Sequence, residues 1–139
     1  TYKKSRLEDV MVKLFEASSM DEVCSKYREK GISDSISFNI PIETFHLAAE
    51  GDEVAIELLT EMGRTQGMYA AAVIRKLNMT DLMVPLVLIG SLFKTNHPAL
   101  IESYLKEVQK TAPKAYTHII ALPPVQGALW LASDYCSGH

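Results

Sequence analysis

Long apolar runs are missing from this chain of 139 residues. None approaches the ~20 residues that a membrane span needs, and no signal peptide opens the sequence. Cysteine is scarce: Cys24 and Cys136 are the only two, they lie near opposite ends, and no CxxC spacing occurs. Two thiols without a framework fit a reducing, cytoplasmic setting better than a secreted disulfide scaffold. The histidines, at 46, 97, 118 and 139, are scattered. None stands at metal-ligand spacing from another histidine or a cysteine, so no metal site is expected. Positive charge is not in excess either. The 14 Lys and Arg against 17 Asp and Glu leave a net charge of −3, which gives no footprint for nucleic acid.

Familiar catalytic and phosphate-binding signatures are absent too. There is no GxxxxGK[ST] loop, no GxGxxG after a strand, and no aspartate in a DxGxT-like stretch. Ser91 lacks elbow glycines on both sides, and neither cysteine neighbours a histidine. His46 reads as a helix-face residue and His118 as a strand-end one. The chain holds no self-sufficient catalytic set.

What is present is an ordinary globular balance, 47% apolar and 22% charged. The length suits one domain that buries roughly 65–70% of its unfolded surface. The sequence starts Thr1-Tyr2-Lys3-Lys4 without methionine, so it is expected to be a piece of a larger protein.

Local patterns divide the chain. Leu7, Val10, Met11, Leu14 and Phe15 recur at helical spacing, and Ser19 with Glu22 makes a capping box for a second helix that ends at Gly31. The stretch ISDSISFNIP is expected to be extended, because Pro41 disfavours helix at Ile40. A short helix is expected from Pro41 to Glu50, then a long one from Glu53 to about Leu77 with Asp52 as N-cap. Along it Val54, Leu58, Met62, Val73 and Leu77 lie on apolar faces, and Glu53, Glu57 and Glu61 repeat on a wet one. A strand follows at 84–89, a helix opened by Asn96-His97-Pro98, a strand in THIIALP, and a final helix in VQGALWLASDYC. Strand, helix and strand of these lengths read as a parallel crossover. The expected class is α/β, rich in helix, with a short parallel sheet, and the chain divides at residues 1–40 and 41–139.

Small residues cluster in three places. Gly63 and Gly67 stand four apart within the long helix, each costing roughly 1 kcal/mol against alanine. Their spacing favours tight packing against a neighbouring element over contact with a flat ligand. Charge on that helix rules out a membrane-dimer reading. Gly90-Ser91 ends the first strand, where ligands favour parallel sheets, and Lys94 follows. A phosphate or ribose contact and a plain turn with a solvated lysine are both open there. Gly127-Ala128 follows Pro123-Pro124 and is a weaker third instance.

Taken in order, AAEGDEVAIELLTEMGRTQGMYAAAVIRKL, PLVLIGSLFKT and PPVQGALWLA resemble the C-terminal end of the BadF/BadG/BcrA/BcrD-type ATPase family. That family includes the N-acetylglucosamine kinases and belongs to the actin-like, hexokinase-like ATPase superfamily. The likeness is greatest to the kinase branch, through Gly90-Ser91-Leu92-Phe93-Lys94-Thr95, and covers about residues 43–133.

The resemblance implies part of an RNase H-like lobe that supplies the adenosine side of an Mg2+–ATP site. It brings Gly90 and Ser91 to the nucleotide, makes the Gly63–Gly67 helix another wall, and puts Lys94 at the edge. It also places the catalytic aspartate, the phosphate loops and the sugar contacts upstream, so no catalytic or metal-binding residue is expected within the chain. The partners implied for the parent protein are a nucleotide and an amino sugar, with neither nucleic acid nor membrane, and a homodimer is compatible with this reading. Two alternatives stand beside it: an ATPase lobe that activates a dehydratase through an iron–sulfur cluster, and a helical interaction module that binds no nucleotide.

Overall fold

The side chains of Ser19 and Asp52 start two of the helices where their spacing indicates. In this computed structural model, which describes residues 3–90, 93, 95–120 and 122–137, the order is α1 (Leu7–Leu14), α2 (Met20–Lys30), α3 (Asp34–Ala49), α4 (Glu53–Lys76), β1 (Pro85–Leu88), α5 (Pro98–Gln109), β2 (Tyr116–Ile119) and α6 (Pro124–Ser137). The Ser19 hydroxyl accepts the Glu22 N–H at 3.3 Å, and the Glu22 carboxylate accepts from the Ser18 N–H at 2.7 Å and the Ser18 hydroxyl at 2.6 Å. The box thus closes one residue earlier than its usual form. Gly31 ends α2 at φ +69°, its N–H on the Tyr27 carbonyl at 2.8 Å.

Asp52 serves two helices. Its carboxylate accepts the Val54 and Ala55 N–H groups of α4 at 3.1 and 3.0 Å. It also accepts the Arg6 N–H at 3.0 Å and the Ser5 hydroxyl at 2.9 Å, at the start of α1. Arg6, the N-cap of α1, has no side-chain capping bond of its own, so a residue 46 positions away supplies it. The hydrogen bond from Ala55 leads the group that holds the Asp52 carboxyl below its ordinary value.

Two expectations need correction. The stretch before Pro41 is helical, so α3 runs through the proline, and the division drawn at residue 40 falls inside one helix. A Ser33 cap, whose hydroxyl accepts the Ile36 N–H at 3.3 Å, starts the helix well before the proline. Beyond it Thr44, Phe45, Leu47 and Ala48 are all buried, and that packing offsets the ~3 kcal/mol an interior proline costs. The second correction concerns α4. Leu58, Met62, Val73 and Leu77 face outward, and the buried face is Ala55, Leu59, Gly63, Gly67, Ala71 and Ile74. Small side chains, not bulky ones, turn this helix inward, because they allow α5 to come closer than leucine or methionine would.

The core has two parts joined by α4 and α5. Phe45, Leu47, Ala55, Leu59 and Leu100 gather under α3, and Ile74, Leu86, Leu88, Tyr104 and Val108 gather against the sheet. The two strands pair in parallel, with Pro85 opposite Tyr116 and Leu88 opposite Ile119. Leu86 and Leu88 point into the core while Val87 remains exposed, so one face of the sheet is covered by α4 and α5. The chain is therefore a helix-rich α/β structure with a short two-stranded parallel sheet.

Candidate functional site

Two residues beyond the end of β1 stands Gly90, where φ is +113°. Only glycine adopts such a backbone without strain. Its need is conformational and not steric, since a Cβ built there would meet nothing within 4 Å. The Gly90 carbonyl accepts the Phe93 N–H at 3.2 Å, and the Phe93 carbonyl accepts the Asn96 N–H at 3.1 Å, so the chain turns at once after the strand. His97 then caps α5 through Nδ1, which accepts the Ala99 N–H at 3.3 Å. Ser91 and Lys94, which the resemblance brings to the nucleotide, lie outside the described residues.

Gly63 and Gly67 have a different part. A Cβ on Gly63 would overlap the Leu100 carbonyl and the Ser103 hydroxyl. One on Gly67 would stand 2.6 Å from the Tyr104 carbonyl oxygen and 2.7 Å from Glu107 Cβ. Helix α5 fills the space over both, so in this fold the two glycines serve close helix packing and present no open surface. Helix α4 does wall a cavity of about 390 Å³ beside β1, through Gln66, Tyr69 and Val73, which face Val87, Ile89 and Phe93. Tyr104 borders the same cavity, and burial pushes its phenol above the ordinary value.

A second cleft, of about 460 Å³, opens just beyond the carboxyl ends of both strands. Its walls include Ile89 after β1, Ile120 and Leu122 after β2, and Gln126 and Trp130 on α6, with His118 at the rim. Among the described residues no charged one lines it. Its polar side chains are His118 and Gln126, and among the described residues neither has a hydrogen-bond partner. Apolar walls with a few free polar groups are the usual make-up of a small-molecule site. Gly127 lies beside Gln126 with open space where its Cβ would stand. Reasoning from sequence passed over Gln126 and Trp130. The signal available was Pro123-Pro124 after an apolar strand, which starts a helix at the edge of the same crevice.

The remaining large groove, about 610 Å³, lies between α1, α3 and α4, lined by Leu7, Met11, Ile40, Val54 and Leu58, away from the strand ends. Cys24 and Cys136 are both free and exposed. Among the described residues no group of three or more His, Cys, Asp or Glu could hold a metal ion, and no helix is long and apolar enough to cross a membrane.

With this geometry in hand, comparison with known proteins adds nothing: no protein-family profile, no curated protein and no solved structure matches the chain.

Proposed function

We propose that this chain is the adenosine-binding part of an ATP-dependent sugar kinase, acting on N-acetylglucosamine or a related amino sugar, within an RNase H-like lobe. The observation that carries the reading is the largely apolar cleft at the carboxyl ends of two parallel strands, beside the positive-φ turn at Gly90. Ligands of open α/β sheets sit in that crevice. The ordered likeness of LIGSLFK and PPVQGALWLA to the kinase family points to which ligand it is.

The residues present suit one half of Mg2+–ATP. Apolar walls and a free amide fit a nucleoside, whereas among the described residues the cleft lining holds no carboxylate for Mg2+ and no cation for phosphate. Phosphoryl transfer relies on positioning and charge stabilisation around the γ-phosphate. Those groups would come from the upstream parts that the resemblance implies, including the aspartate that takes the sugar hydroxyl's proton.

Thermal unfolding tests the binding half. ADP and adenosine should both raise the Tm of this chain by mass action, and ribose 5-phosphate should not. No shift with either adenine compound sinks the reading. For the parent activity, a longer polypeptide carrying the upstream parts should release ADP only when N-acetylglucosamine or a related sugar is present. Sugar-independent release would favour the dehydratase-activating ATPase. A second reading, an interaction module without nucleotide, draws on the exposed stripe of Leu58, Met62, Tyr69, Val73 and Leu77 along α4. It gains if the chain self-associates and ignores ADP.

A further inference from the structure

We propose that the nucleotide's base enters the cleft between β2 and α6, with Gln126 reading its edge beside Trp130, and that the site thereby selects adenine over guanine and hypoxanthine. This rests on the nucleotide-binding reading above. The α4 glycines cannot receive the ring, because α5 covers them. The β2–α6 cleft can: its volume is about 460 Å³, its walls include Ile89, Ile120, Leu122 and Trp130, and no charge lines it among the described residues. An uncharged planar ring fits such walls, and a phosphate does not.

Selectivity follows from the chemistry of the amide. Gln126 is half-buried, and its backbone N–H is held by the Pro123 carbonyl at 2.9 Å, which fixes the first turn of α6. Its side chain makes no bond within the described residues. An amide offers a donor and an acceptor side by side. Adenine presents the complement, an exocyclic N–H donor next to a ring-nitrogen acceptor, and glutamine meets both at once. Hypoxanthine and guanine have a carbonyl oxygen at the same place. Two acceptors then face the amide along the edge shared with the five-membered ring, and one of the two bonds is lost.

Trp130 is the single tryptophan of the chain and lines the cleft, so its emission reports on this site alone. The test is a fluorescence titration of the 139-residue chain with adenosine and with inosine, next to calorimetry with ADP. Adenosine should shift Trp130 emission and bind about tenfold more tightly than inosine. In Gln126→Leu the ratio should fall to near one while ADP still binds. Gln126→Glu, which keeps the size but removes the donor, should weaken adenosine by about three- to tenfold. Equal binding of the two nucleosides by the parent chain overturns the inference. So does an unchanged preference in Gln126→Leu, or ADP binding that leaves Trp130 emission unmoved. In each of these cases the nucleotide reading survives. Absence of ADP binding by calorimetry overturns both.

Discussion

Gly63 and Gly127 are both helical glycines, yet one faces a wall and the other a space. At Gly63 the backbone of α5 comes so near that a methyl group cannot fit. At Gly127 nothing lies within 4 Å of the missing Cβ. Gly90 is a third kind, open around the Cβ position but bent to φ +113°. In sequence all three look alike, as small residues where a larger one is expected. In the fold they answer three needs: close helix packing, access to a cleft, and a backbone that only glycine accepts.

The same substitution at each position separates these needs. Gly63→Ala should give the largest effect, a loss of roughly 2–3 kcal/mol, since overpacking against backbone cannot be relieved by a rotamer change. Denaturant unfolding would measure it, and an unchanged midpoint would mean that α4 and α5 lie further apart. Gly90→Ala should cost about 1–2 kcal/mol through strain and should also weaken ADP binding. Unaltered stability there would contradict the positive φ. Gly127→Ala should stabilise, by about 0.5–1 kcal/mol, because alanine is the better helix former and no neighbour objects. A loss at this position would show that α6 is packed more tightly than its exposure indicates.

Acid sharpens the contrast from outside, because it touches none of the three glycines. The Ser18 hydroxyl, with the Ser18 N–H and Lys26, holds the Glu22 carboxyl down to about 2 from an ordinary 4.5. A pKa depressed by folding contributes stability above the unfolded value and loses it as pH falls towards the folded one. The N-terminus of α2 should therefore loosen between pH 4.5 and about 2, with the α4–α5 seam unaffected. An NMR titration of Glu22 with a midpoint near 4.5 would remove this cap from the account.

Much of the fold was legible where a local rule acts alone. Ser19, Asp52 and Gly31 mark helix ends through their own side chain or φ, and the parallel strand pair follows from the short apolar runs on either side of α5. Legibility failed where a distant partner decides. The local bias that Pro41 places on Ile40 was outweighed by burial of Phe45 and Leu47, which depends on α4 and α5. The bulky stripe of α4 is the stronger hydrophobic signal, but the glycine and alanine face makes the nearer contact with α5. The site divided likewise. Gly90 was legible as a turn near a strand end, while Gln126 and Trp130 come to one cleft with the residues after β2 only in the fold.

Asp52 has a further consequence for how the molecule comes apart. Its carboxylate holds the first N–H groups of α4 and one of α1, Lys3 pairs with Glu53 and Glu57, and Arg6 pairs with Glu50. A helix of eight residues would ordinarily fray by itself, faster than the core it rests on. Here opening the first turn of α4 displaces Asp52 and so frees α1 as well, whereas α1 can lift with the Val54 and Ala55 bonds to Asp52 still made. Amide exchange in α1 should then be at least as fast as in the first turn of α4, since every opening of that turn also releases α1.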